Sequence, residues 1–204
     1  MRKFARAEKN QALRKRFIIS TEGTKTEPGY FSLLQKFISR ESINLQVLQG
    51  ARQTDPVSVL ERMVKHLQDS PARNMDQAWL VVDRDTWPID QLNQLFTWQQ
   101  KQKNYQVALS NPKFEYWLLL HFEDGNQIQS SDAVTNRLEK CCPNYTKNID
   151  PDKFKFDDIV KAIDRAKVRY QHSHDKKFLE MGTTTVFKLV KTILLETGLM
   201  NQPQ

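Results

Sequence analysis

Two short acidic segments each follow an apolar run that reads as a β-strand. Phe17-Ile18-Ile19-Ser20 leads into Thr21-Glu22-Gly23, and Trp79-Leu80-Val81-Val82 leads into Asp83-Arg84-Asp85. In α/β proteins a parallel strand ends in the crevice where ligands bind. Glu22, Asp83 and Asp85 can therefore converge, and converging carboxylates repel one another unless a cation lies among them. Hard oxygen donors suit Mg²⁺ or Mn²⁺, the ions that serve phosphate chemistry. The bland alternative is a set of strand-end acids that only cap or solvate the structure. The D-x-D-x-T pattern of one large phosphatase class is absent, because Trp87 fills its fifth position and Thr86 stands one place early.

Further candidates surround this set. Glu115 lies in the run Lys113 to Phe122, which is otherwise almost entirely apolar. A buried carboxylate there is costly without a partner, so it either reaches the site or pairs with a base. Ser110-Asn111-Pro112 reads as a helix cap with proline in the first turn, which would aim a helix N-terminus, favourable to phosphate, from the end of a strand. Lys25, in the loop after Glu22, can neutralise a phosphate oxygen or simply sit in water. Lys161, Arg165 and Arg169 recur every fourth residue opposite the apolar face of their helix, either as a solvated face or as a nucleic-acid contact. His121 reads as a packing histidine, and His172 and His174 lack neighbours of metal-ligand spacing.

The elements needed to position these residues alternate. Strands are expected at 17–20, 44–48, 78–82 and 105–109. Helices open at Pro28-Gly29, at Asp55-Pro56 and at Pro88, each with an apolar face of helical period, and after Pro112, where the run is apolar nearly all round as in an interior helix. Val57, Leu60, Val64 and Leu67 form the expected buried stripe of the second helix, and Ile89, Leu92, Leu95 and Phe96 that of the third. Four strands alternating with four helices make an α/β unit with a parallel sheet. Past Gly125 only helical patterns remain, centred on Val134 and Leu138, on Ile159 to Tyr170, and on Val186 to Leu194.

The 204 residues fit one domain with a modest appendage, and their net charge is +7. That charge is concentrated: residues 1–16 carry seven basic side chains and one acid, leaving 24 basic and 23 acidic residues elsewhere. A basic arm either strengthens nucleic-acid binding or is a solvated tail. No apolar run approaches the roughly 20 residues of a membrane span, and no secretory pattern opens the chain, so a cytoplasmic protein without membrane contact is expected. The adjacent Cys141 and Cys142 read as two reduced thiols.

Three blocks carry a resemblance. TEGTKTEPGYF at 21–31, VDRD at 82–85 and SNPKFEYWLLLHF at 110–122 are similar to the signature blocks of the RloB-like family, seen also as the second component of the AbiL phage-abortive system. Tyr145 with Lys147, the Ala162/Ala166 helix and Thr183-Thr184-Thr185-Val186 resemble weaker family features, so the likeness runs from about Arg14 to Leu195. Members are regarded as TOPRIM-type proteins. The resemblance implies Glu22 as general acid or base and Asp83 and Asp85 as Mg²⁺ or Mn²⁺ ligands together with Glu22. Lys113 stands where relatives often carry a small residue or cysteine, and it offers a phosphate contact.

The expected organisation is a basic arm over 1–16, a TOPRIM-like α/β core of about four strands over 17–125, and a helical C-terminal region over 126–204 packed on that core. The expected activity is metal-dependent cleavage of DNA or RNA in antiphage defence. Glu22, Glu115 and Lys25 would serve the chemistry, and Asn111, Lys113, Lys161, Arg165 and Arg169 would contact the polymer. The chain has no Walker motif, so any ATP-driven step must come from elsewhere, and the family resemblance implies an AAA/ABC-type ATPase encoded nearby as the partner. The rival readings are a non-catalytic subunit that binds nucleic acid or a phage factor beside such an ATPase, and a different phosphoryl-transfer enzyme.

Overall fold

A computed structural model describes residues 14–39, 42–50, 55–84, 86–143 and 145–201. Residues 1–13 of the arm and Asp85 lie outside the described residues. The chain order is β1 (Lys15–Thr21), α1 (Thr26–Phe37), β2 (Ile43–Leu48), α2 (Pro56–Asp69), β3 (Gln77–Asp83), α3 (Ile89–Gln99), β4 (Tyr105–Asn111), α4 (Phe114–Leu119), α5 (Ser131–Cys141), α6 (Phe156–His172), β5 (Thr183–Thr184) and α7 (Val186–Glu196). The sheet has the order β2-β1-β3-β4-β5. The first four strands are parallel, and β5 runs antiparallel to β4. This is the α/β class expected, with a fifth strand added.

Alternation along the strands divides the core into two layers. Phe17, Ile19, Trp79, Val81 and Ala108 face one way, toward α1 and α4 to α7. Ile18, Ala78, Leu80, Val82 and Leu109 face the other, toward α2 and α3. Strands apolar on both faces belong in a parallel sheet covered on both sides. The C-terminal helices place Val134, Leu138, Ile159, Ile163, Leu189 and Ile193 in the same apolar cluster as α1, so they share the core of the sheet.

Several local expectations change. β1 starts at Lys15, so Lys15 and Arg16, counted with the arm, are strand residues. In α2 the sheet takes Val59 and Met63, both fully buried, and leaves Val64 exposed. Leu60 and Leu67 of the expected stripe still pack, partly buried, against the same layer, so the buried face is shifted rather than replaced. Ile89 is likewise exposed, while α3 buries Leu92, Leu95 and Trp98. Asn111 is no helix cap: it is the last residue of β4, its bond to Pro112 is cis, and Lys113 stands at the cap position of α4. The expected helix over 113–122 narrows to six α-helical residues. Asp55 does cap α2, accepting from the Ser58 N–H at 3.0 Å.

β5 has no periodicity of its own and is held by hydroxyl contacts. The Ser110 and Thr184 hydroxyls stand 2.8 Å apart, and the Leu109 N–H donates to Thr185 Oγ1 at 2.9 Å. Three successive threonines thus cover the edge of β4 near its carboxyl end.

Candidate functional site

Parallel neighbours β1 and β3 bring their carboxyl ends together. Thr21 pairs in register with Val81, and the Glu22 N–H continues the ladder to the Val81 carbonyl at 3.2 Å. The Glu22 side chain then turns across the strand ends, where Oε2 accepts from the Asp83 N–H at 3.0 Å. Two residues distant in sequence are thereby fixed side by side by backbone pairing.

A third carboxylate comes from the following loop. Glu27, in the first turn of α1, is 5 % exposed, and its Oε1 accepts from the Gly23 N–H at 2.8 Å. The chain between Glu22 and Glu27 thus folds back onto its own side chain. A Cβ on Gly23 would stand 2.4 Å from Glu27 Oε2, so any larger residue there would push that carboxylate aside. Gly50, after β2, closes the other side, since a Cβ there would come within 2.3 Å of the Glu22 carbonyl oxygen.

Glu115 supplies the fourth. It is half-buried and lines a cleft of about 540 Å³ together with Glu22, Glu27 and Asp83. Of the two readings of Glu115, reaching the site or pairing with a base, the structure has it lining the cleft, half-buried rather than enclosed. Tyr145 reaches in from the segment before α6: its hydroxyl donates to Glu115 Oε1 at 3.4 Å and stands 3.2 Å from Thr26 Oγ1. Lys25, Lys113 and Lys147 complete the polar lining, with Lys113 Nζ donating to Thr135 Oγ1 at 2.6 Å.

The electrostatics follow from this crowding. Burial first, then the charges of Glu22, Glu27 and Glu115, push the Asp83 carboxyl well above the usual range against the Phe114 N–H that favours its ionised form. Burial also raises Glu27, with Glu115 adding to the rise, while the Gly23 N–H and the Lys147 charge oppose it. Four carboxylates share this lining with three lysines, and a cation among the acids would relieve the repulsion that raises Asp83.

A family model described as RloB-like protein matches residues 17–193. The chain belongs to the RloB-like family. No curated protein and no solved structure matches it. The three blocks of RloB-like resemblance meet at the cleft, since 21–31 holds Glu22 and Glu27, 82–85 holds Asp83, and 110–122 holds Lys113 and Glu115. Tyr145 and Lys147 of the weaker features line or bound it as well.

The donors fit a hard divalent ion in kind, being carboxylate oxygens with no sulfur or imidazole in the lining. Among the described residues no three His, Cys, Asp or Glu side chains are grouped closely enough to hold an ion as they stand. Asp85, the third residue of the expected set, is not among those described.

Other expected site residues lie elsewhere. Asn111 Nδ2 donates to the Leu179 carbonyl at 2.7 Å and so anchors the segment before β5. Arg165 donates to Asp124 and to the Leu120 carbonyl, both at 2.8 Å. Arg169 donates to Asn126 Oδ1 at 3.0 Å and to the Gly182 carbonyl at 3.3 Å. These two arginines clamp the loop after α4 onto α6, and neither lines the cleft. Lys161 is exposed and pairs with Asp158 at 3.1 Å. His121 is buried, its Nδ1 3.0 Å from the Trp117 carbonyl and its Nε2 3.2 Å from the Tyr30 hydroxyl. Burial holds its pKa down at about 4, so it is a neutral packing residue. Cys141 and Cys142 are free thiols.

Proposed function

We propose that this RloB-like chain is a Mg²⁺- or Mn²⁺-dependent, TOPRIM-type nuclease whose reacting centre is the carboxylate cleft at the ends of β1 and β3. The observation that carries the reading is the cross-strand fixing of Glu22 beside Asp83, with Glu27 and Glu115 lining the same cleft. Asp83, Glu22 and, by the family likeness, Asp85 would hold the ion. When bound, the ion supplies a more acidic water and neutralises charge at a phosphate.

The chain's own residues do the rest. The Asp83 N–H holds Glu22 Oε2, which presents that carboxylate to the cleft for proton transfer to or from a reacting oxygen. Glu27 braces the Glu22–Gly23 turn from beneath through the Gly23 N–H. Tyr145 orients Glu115. Lys25, Lys113 and Lys147 bring positive charge to the same lining, where they can meet non-bridging phosphate oxygens. A role in antiphage defence with an AAA/ABC-type ATPase follows from the family likeness and belongs to the same proposal.

The test is incubation of the purified protein with labelled DNA and total RNA, with and without Mn²⁺. Mn²⁺-dependent cleavage that Glu22→Gln abolishes supports the reading. No cleavage of any substrate, even with the ATPase present, would return the chain to the class of binding subunits.

A further inference from the structure

A second constellation lies away from the acidic cleft, on the side of the sheet covered by α2 and α3. A groove of about 320 Å³ runs between α3, β4 and the segment before β5. An adjoining one of about 450 Å³ continues along α3 to the turn that precedes β4. Phe96, Gln99 and Lys177 line both, so the two form one track. Lys176, Lys177 and Lys188 line the first part and Lys103 the second, and all four are exposed.

These lysines are gathered by aromatic rings. Lys188 Nζ stands 4.1 Å and Lys176 Nζ 4.8 Å from the centre of the Tyr170 ring. Lys177 Nζ stands 4.8 Å from the Phe178 ring and 5.4 Å from that of Phe96. Ring quadrupoles attract ammonium groups without neutralising them. Lys176 Nζ also donates to the Gln171 carbonyl at 2.9 Å, and Lys177 Nζ to Asn93 Oδ1 at 2.7 Å. Among the described residues none of Lys176, Lys177 and Lys188 forms an ion pair, and no acid lines either part of the track. Asp175, the nearest acid in sequence, turns Oδ1 to the backbone N–H groups of Lys177 and Phe178.

Clustered ammonium groups repel one another, and in a chain whose body is almost neutral this concentration is local. The cleft sets four carboxylates beside three lysines, so a polymer substrate gains from a further cationic surface outside it. The track ends at Leu109, the residue before Ser110, and Ser110 is the register partner of Asp83. We propose that the Lys103–Lys177–Lys176–Lys188 track binds the phosphate backbone of a nucleic-acid strand. An elongated row of cations fits a polymer better than a single phosphate, and the lining glutamines offer amide groups to sugars and bases.

This inference deepens the nuclease reading, yet binding is measurable where no cleavage occurs. The experiment is fluorescence anisotropy with a labelled single-stranded oligonucleotide in EDTA, across a range of salt. Three variants are compared with wild type: Lys176→Gln/Lys177→Gln/Lys188→Gln, the same three changed to Arg, and a control, Lys36→Gln/Lys65→Gln/Lys140→Gln. Loss of three phosphate contacts should flatten the log–log salt slope by about 2 and weaken binding on the order of a hundredfold at 0.1 M salt. The arginine variant should bind like wild type, and the control should change only a few-fold. Acetylation of wild-type protein gives a second readout, in which bound oligonucleotide should protect Lys176, Lys177 and Lys188. Equal loss in the glutamine variant and the control, no protection, or no binding by wild type overturns the track. So does competition by polyglutamate as strong as by nucleic acid, which would assign the surface to an acidic protein. Cleavage that persists with unchanged affinity in the glutamine variant removes the track and leaves the nuclease reading standing. Track-dependent binding without cleavage does the reverse.

Discussion

Asp76 stands immediately before β3, and Asp83 is the last residue of the same strand. Asp76 is fully buried, yet every approach to it is a donor. Its carboxylate accepts from the backbone N–H of Arg16 at 2.9 Å and of Arg73 at 2.8 Å. The two guanidinium groups add Arg16 Nε at 2.9 Å, Arg73 Nε at 3.0 Å and Arg73 Nη2 at 2.8 Å. Burial alone would raise its pKa, but the arginine and backbone donors outweigh burial and hold the carboxyl well below the ordinary range. At the other end, Asp83 is surrounded by Glu22, Glu27 and Glu115, and its pKa moves the opposite way. The chain surrounds Asp76 with donors at the amino end of the sheet and crowds Asp83 with carboxylates at the carboxyl end, where Lys25, Lys113 and Lys147 share the lining. A buried acid with a complete donor set is architecture, whereas a crowded one without it is a place for a ligand.

The contrast can be broken most forcefully through Glu22. Glu22→Gln keeps the size and the acceptor facing the Asp83 N–H but removes the proton-transfer group, so single-turnover cleavage should fall about 10²–10⁴-fold. Affinity for uncleaved nucleic acid should stay within a few-fold of wild type, measured by anisotropy in EDTA. A comparable loss of affinity would mean that Glu22 shapes the binding surface.

Next in size is Asp76→Asn, which leaves two arginines facing a neutral amide in a buried setting. Breaking such a pair costs about 3–5 kcal/mol, and the partial exposure of both arginines favours the lower end. Urea denaturation should show this loss. The pH dependence has a definite sign. The folded pKa of Asp76 is depressed, so its contribution is complete above the ordinary carboxylate range near 4 and is lost as pH falls below it. Wild type should lose this stability in acid, and Asp76→Asn should flatten that limb. An unchanged acid limb would show that Asp76 is not the group responsible.

Gly23→Ala should act at the carboxyl end with a smaller effect. The added methyl would displace the Glu27 carboxylate, so Mn²⁺ affinity should fall while the fold loses about 1 kcal/mol, read by calorimetry and thermal melting. Asp83→Asn should be the mildest for the metal-free fold. Removing one of several repelling charges should leave stability unchanged or raise it by about 1 kcal/mol. A marked loss would make Asp83 a structural residue like Asp76.

Much of this contrast is legible in the sequence, and the rest fails for identifiable reasons. Glu22 and Asp83 stand out because apolar runs end directly before them and parallel pairing aligns strand ends. Glu27 does not, since in TKTEPGYF it looks like an ordinary acid of the loop before a helix that opens at Pro28. Its burial depends on Gly23 folding back, a contact no periodicity encodes. Arg165 and Arg169 lie opposite an apolar helical face and read as a solvated face or a nucleic-acid contact, because nothing local indicates that the 120–126 loop returns to them. The proposed lysine track escapes notice for the same reason: its lysines come from three segments, before β4, before β5 and in α7, and Tyr170 and Phe96 draw Lys176, Lys177 and Lys188 together only in three dimensions. Asp76 stands just before the same apolar run that leads to Asp83, without any mark of its role, which comes from Arg73 three residues earlier and from Arg16 on β1.

The central claim is that the carboxyl end of the sheet is a cation site. Titration of Mn²⁺ into wild type and into Asp83→Asn by calorimetry, with the fold of each verified by melting, tests it most directly. The account predicts saturable binding by wild type and none by Asp83→Asn, with the variant at least as stable as wild type without metal. Undiminished Mn²⁺ affinity in Asp83→Asn, or no binding by folded wild type, would contradict it.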